Sequence, residues 1–177
     1  MWKGLAAGLV GGLVASWTMN RFQSAWTKAA EGFEKPHGAQ SMQPSEGGQP
    51  GHGSEHAKKN QDDATVKVAR AISKGALGHE LRESEKEEAG ALVHYAFGTV
   101  AGGFYGAIAE FAPEVTVGTG LPFGAGFWLI ADETVVPLLG LSKPLTGYPV
   151  TTHVYALSSH LVFGLTAEIV RRTLRNM

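Results

Sequence analysis

The sequence contains no cysteine in its 177 residues. That excludes a disulfide framework, a thiolate metal site and a cysteine nucleophile, and it leaves the compartment open. There is no surplus of charge either: 15 basic against 16 acidic residues give a formal net charge of −1. No basic stretch is interleaved with aromatics, so the chain lacks the electrostatic footprint of a nucleic-acid binder. Also missing is a long apolar run free of ionisable groups, and the mean hydropathy of −0.04 would suit an ordinary soluble chain. That average misleads. It mixes a very polar stretch, residues 31–88, with apolar stretches on both sides.

What the chain does have is glycine, 24 residues of it, in the apolar stretches as well as the polar one. Membrane helices tolerate glycine better than soluble ones. Four apolar segments follow. The first runs from Gly4 to Met19 and on through Arg21 to Trp26. Its strictly apolar part covers roughly 24 Å against about 30 Å of hydrocarbon. Trp2 and Trp26 stand where interfacial anchors belong, and Arg21 can snorkel outward. A secretory signal peptide is the alternative, with Lys3 ahead of an apolar core, but no clean A-x-A site follows. The second segment, Ala89 to Phe111, has His94 near one end and Glu110 near the other, and Pro113 closes it.

Two glycine files stand out. Gly4, Gly8 and Gly12 fall every fourth residue, as do Gly98, Gly102 and Gly106. Each presents a bare helix face suited to close helix–helix contact, within one chain or across a homo-oligomer. The third segment, Val117 to Leu141, is cut by Asp132 and Glu133, and Pro137 removes a backbone donor. It is either one tilted helix with inward acids or a broken helix whose halves meet at a polar pocket. The fourth, Val150 to Val170, is interrupted by His153, His160 and Glu168 and runs into Arg171, Arg172 and Arg175. On a helix, His153, His160, Gly164 and Glu168 fall within roughly 80° of arc.

The expected architecture is therefore all-α: a polytopic bundle of about four transmembrane helices in contact with the lipid bilayer. Residues 1–26 form the first helix, 27–63 a flexible polar loop, 64–88 a charged surface helix, and 89–177 a three-helix membrane region. Val68, Ile72, Ala76 and His79 trace the surface helix's modest apolar stripe, and its RESEKEE run (Arg82 to Glu88) pairs opposite charges at helical spacing. In the loop, His37, His52 and His56 have no defined metal geometry and read as linker. Four spans place both termini on one side, and the arginine cluster favours the cytoplasm.

The C-terminal HLVFGLTAEIVRRTLRN resembles the end of the YagU family of bacterial inner-membrane proteins, with His160, Glu168, Arg171, Arg172 and Arg175 in matching places. Two further matches support it: His94 followed by Tyr105, Ala109–Glu110 and Pro113, and the PLLGLSKP turn from Pro137 to Pro144. The likeness covers roughly His94 to Asn176. It implies a multi-span helical protein of the bacterial inner membrane, and it implies no catalytic residue.

Ionisable groups cost roughly 2.5–3.5 kcal/mol each inside a bilayer on insertion scales, so such groups normally serve a purpose or a partner. His94, Glu110, Asp132, Glu133, His153, His160 and Glu168 are thus candidates for a proton or ion pathway. The competing reading is a structural or assembly protein whose polar residues tie helices together, with Arg171, Arg172 and Arg175 as a membrane-boundary anchor. A metal enzyme has weak grounds: there is no H-E-x-x-H, and His153 and His160 lie about 10.5 Å apart along the axis. The sequence thus calls for no metal, no cofactor and no nucleic acid.

Overall fold

The computed structural model describes residues 2–29, 62–143 and 145–177. Helix α1 spans Trp2–Ala29. The expected loop lies almost wholly outside the described residues, with His37, His52 and His56. Helix α2, Ala64–Ile72, is capped by Asp63, whose carboxylate accepts from the Val66 N–H at 2.9 Å. A wide five-residue turn, Ser73–Leu77, follows and ends at Gly78, whose φ of +63° is a left-handed stop. Helix α3 then runs from Glu83 to Phe111, and the Glu85 side chain accepts from the Arg82 N–H at 2.8 Å at its start.

This corrects the expected surface helix. The charged residues 64–88 do not form one element: Gly78 breaks them, and RESEKEE supplies the first turns of α3. The buried face of α2 also differs from the stripe read from the sequence. Thr65, Val66 and Ala69 are buried while Ile72 is exposed, because α2 packs on α3, with Val66 against Gly90. His79 sits in the connecting loop, 3.2 Å from Glu85.

Pro113 ends α3 and opens a single tight turn, Pro113–Thr116. Helix α4, Leu121–Ile130, leads into a second wide turn, Ala131–Val135, and a short α5, Val136–Leu138. The sequence supplies the cause. Pro137 has no N–H and its ring crowds the carbonyl four residues back, Glu133, so the preceding turn widens. The third segment is therefore a helix interrupted by one wide turn that carries Asp132 and Glu133. Helix α6 spans Val150–Arg175.

Helix α1 packs between α3 and α6, and α4 lies on α6. The glycines set the approach. A Cβ on Gly102 would lie 2.5 Å from the Cα of Gly12, and one on Gly106 would lie 2.7 Å from the Cα of Gly8. Contacts that short leave no room for any side chain, so backbone meets backbone. The α4–α6 pair repeats the device: a Cβ on Gly164 would lie 2.9 Å from the Cα of Gly124. Ala15, Met19, Phe163 and Ala167 fill the space between α1 and α6, with Phe123 and Phe127 against them.

Large apolar side chains point the other way. On α3, Phe97, Val100, Phe104, Ile108 and Phe111 are exposed at spacings of three and four, opposite the file Gly90, His94, Gly98, Gly102, Gly106. On α6, Val150, Val154, Leu165 and Ile169 are exposed, opposite Thr152, His160, Gly164 and Glu168. The close helix–helix seams are lined by small and polar residues, while many of the large apolar side chains of α3 and α6 face outward. Among the described residues no helix is both long and apolar enough to cross a membrane. Helices α1, α3 and α6 each give one face to glycine, serine or ionisable residues, and this lowers their mean hydropathy.

Candidate functional site

The every-fourth files continue past their glycines into polar residues. On α3, His94 stands one turn before Gly98; on α1, Ser16 stands one turn after Gly12; on α6, His160 stands one turn before Gly164. All three are buried. Close glycine contacts draw the backbones together next to these polar residues. Ser16 satisfies itself by donating to the Gly12 carbonyl at 2.9 Å. The histidines do not.

His160 is 1% exposed and donates from Nδ1 to the Ala156 carbonyl at 2.9 Å. A carbonyl can only accept, so this bond places the hydrogen on Nδ1 and leaves Nε2 a bare lone pair in the neutral ring. No hydrogen-bond partner reaches His160 Nε2 or His94 Nε2, although His94 is bonded to the Ser16 backbone. Asp132, presented by the wide turn, brings Oδ2 to 3.8 Å from His160 Nδ1, and its Oδ1 has no partner. His94 and His160 are close enough to interact electrostatically. Phe127 covers one side of His160 edge-on at 5.4 Å between ring centroids. Each buried polar atom left unpaired costs about 1–3 kcal/mol, and Asn20 Oδ1, Gln23 Oε1 and Trp128 Nε1 are unpartnered elsewhere among the described residues.

A second pair lies beside it. Glu133, next in sequence to Asp132, approaches His153 Nδ1 at 2.6 Å. Successive residues on a wide turn thus reach histidines seven residues apart on α6.

The other end of α6 is built differently. Glu168 is fully buried, yet both its oxygens are occupied. Oε2 accepts from the Tyr105 hydroxyl at 2.8 Å and from Arg171 Nε at 2.7 Å; Oε1 accepts from Arg171 Nη2 at 2.9 Å and from Arg172 Nε. Arg171 also stands over the Tyr105 ring, 5.9 Å from its centroid. Glu110 takes Arg175 in a two-pronged ion pair of 2.6 and 3.2 Å, joining α3 to α6 again. This is a saturated electrostatic tie.

The seven ionisable candidates therefore separate into four groups: His94, His160 and Asp132 together; Glu133 with His153; Glu110 with Arg175; Glu168 with Arg171 and Arg172. Among the described residues no three His, Asp or Glu side chains come together to hold a metal ion. Reasoning from sequence did not single out Ser16 or the Tyr105 hydroxyl. Extending the glycine period by one more step of four along α1 would have found Ser16.

Comparison with known proteins agrees with the composition of this region. The family described as a protein of unknown function, DUF1440, matches residues 73–169, which include all seven ionisable candidates. The inner membrane protein YagU of Escherichia coli (strain K12) is 35% identical over 85 residues, 48% of this chain and 42% of that protein. The chain thus spans less than half the length of this relative. No solved structure matches. Because the family match extends over more than half of the sequence and carries α3, α4 and most of α6, the chain belongs to the YagU-like DUF1440 family.

Proposed function

We propose that this chain is a multi-pass helical protein of the bacterial inner membrane, with no enzymatic turnover of its own, whose His94–His160–Asp132 cluster takes up and releases protons. The membrane part of this reading rests on the large apolar side chains that face outward on α3 and α6. Monomeric soluble proteins rarely expose contiguous apolar surface on this scale, whereas lipid tails cover it without cost. At 1.5 Å per residue, α1, α3 and α6 extend roughly 40 Å, more than the ~30 Å of hydrocarbon. The relative's location in the inner membrane supports the same placement.

The observation that carries the proton part is the open valence. His94 Nε2, His160 Nε2 and Asp132 Oδ1 are buried acceptors without donors, and a proton on any of them converts that acceptor into a donor. The wide turn under Asp132 adds a place where that change can alter the backbone, since such turns occur often at functional sites. Structural ties are the job of the opposite end, where Glu168 has nothing left to accept.

The test uses full-length protein in liposomes with Trp128 as the single remaining tryptophan, the others replaced by Phe. Trp128 precedes the wide turn by three residues and its buried Nε1 has no partner. Lowering the pH should change its emission reversibly, and Asp132→Asn should abolish the change. Emission that ignores pH in the wild type, or responds equally in Asp132→Asn, rejects the reading. Retention of the chain in the membrane fraction after alkaline carbonate washing checks the placement; release into the wash contradicts it.

A further inference from the structure

Resting on the membrane placement proposed above and not on its proton part, we infer that the cleft between α2 and the loop ahead of α3 holds the phosphate headgroup of an anionic membrane lipid. The cleft measures about 260 Å³ and is lined by Lys67, Arg70, Ala71, Lys74, Glu80 and Leu81. Three of its four charged residues are cations. Pockets for drug-sized ligands run to ~300–1,000 Å³, so this one suits a small charged group. Packing explains why the basic side is free. Helix α2 turns Thr65, Val66 and Ala69 inward and lies on α3 with that face, which leaves Arg70 and Lys74 outward.

Lys67 is the fixed member of the set. Its Nζ donates at 2.7 Å to the Leu141 carbonyl, a neutral acceptor that holds the ammonium without cancelling its charge. Arg70 pairs with Asp62 and Lys74 with Glu80, both through exposed side chains. Exposed pairs of this kind contribute little and exchange partners readily. Asp62 takes Arg70 through Nη1, and the guanidinium has further N–H donors to offer. Ammonium and guanidinium donors together are the groups that recognise phosphate. A cation would meet three like charges here, and a nucleobase would find no aromatic ring in the lining. The neighbours favour a lipid over free phosphate. Ile72 and Leu77 lie in the same stretch as the cations, and Leu138 and Leu139 stand just ahead of the carbonyl that Lys67 holds; all four are more than half exposed. Basic groups beside uncovered apolar side chains match the boundary between headgroups and acyl chains. Lys67 and Arg70 precede the family-matched residues 73–169, so two of the three cations lie outside the part this chain shares with its family.

The experiment uses full-length protein in micelles of a neutral detergent, doped with dioleoyl-phosphatidylglycerol or dioleoyl-phosphatidylcholine, and follows unfolding by heat. A ligand that binds only the folded chain raises Tm saturably. Phosphatidylglycerol should raise it by several degrees with a plateau. Phosphatidylcholine, whose choline neutralises its own phosphate, should raise it far less. The triple variant Lys67→Gln/Arg70→Gln/Lys74→Gln should lose the phosphatidylglycerol rise, whereas Lys3→Gln/Lys28→Gln, which removes charge from α1 instead, should keep it. Arg70→Gln alone, at an exposed position, should increase the half-saturating lipid fraction several-fold, and this keeps the test decisive if the triple variant does not fold. Equal rises in the two lipids overturn the inference, as does an unchanged half-saturating fraction in Arg70→Gln. Glycerol phosphate offers the same group without acyl chains: no rise supports the lipid, and a rise equal to that of phosphatidylglycerol overturns the lipid assignment. If alkaline carbonate releases the chain from membranes, the placement itself falls. Retention in the membrane without a preference for phosphatidylglycerol removes this inference alone.

Discussion

Glu168 and His160 stand eight residues apart on one helix, on the same inward face, and both are almost completely withdrawn from solvent. Their surroundings are opposite. Glu168 is enclosed by Tyr105, Arg171 and Arg172, with donors on both oxygens. His160 is bonded through Nδ1 alone, and its neighbours His94 and Asp132 share its shortage of partners. The contrast separates two uses of polarity in an apolar bundle. A saturated site holds helices together and gains nothing by changing protonation. An unsaturated site is costly as it stands and becomes less so when something arrives.

Substitutions of matched kind at the two sites should therefore act in opposite directions. The largest effect is expected at the saturated end. Glu168→Leu leaves Arg171 buried without its partner and should cost about 3–5 kcal/mol of stability, read as a large drop in Tm of the purified protein. A wild-type Tm would break the comparison at its root. Next comes Gly102→Leu, which forces a side chain into the backbone of Gly12. Overpacking of this kind costs about 1–3 kcal/mol, and thermal stability or loss of folded yield reports it.

At the open end, His160→Leu removes a buried unsatisfied atom and should be neutral or stabilising within about 1 kcal/mol, while abolishing the pH response of Trp128. A fall in Tm as large as that of Glu168→Leu would place His160 among the structural ties.

The smallest effect concerns the exposed start of α3. The Arg82 N–H, with His79 behind it, holds the Glu85 carboxyl below the usual carboxylate range. A carboxyl lowered in the folded chain contributes stability that is fully present above its unfolded value and lost as pH falls through the folded one. Amide protection in the first turn of α3, relative to the intrinsic exchange rate at each pH, should therefore fall on acidification, and Glu85→Gln should remove that dependence while leaving the rest of α3 unchanged.

Much of this architecture is written in the glycine period. Gly4, Gly8 and Gly12 and Gly98, Gly102 and Gly106 announce faces that admit a backbone, and the structure sets those faces against each other. The groupings of the ionisable residues were not legible, for local reasons. An ordinary helix would send Asp132 and Glu133 about 100° apart, but the extra residue forced in ahead of Pro137 changes that phase and aims them at different histidines. The saturation of Glu168 depends on Tyr105, which is distant in sequence and whose role only packing reveals. The charged stretch before α3 was misread because salt-pair spacing supports a helix without saying where it starts. Gly78 made that decision.

Proton uptake by the folded chain tests the central claim most directly. Full-length protein in liposomes is jumped from about pH 8 to about pH 5, the range over which imidazole ordinarily changes charge, and protons bound per chain are counted with an indicator dye. The wild type should take up at least one more proton than a folded His94→Gln/His160→Gln/Asp132→Asn variant. Equal uptake would show that the open valences at the centre of the bundle never meet a proton, and would contradict the account.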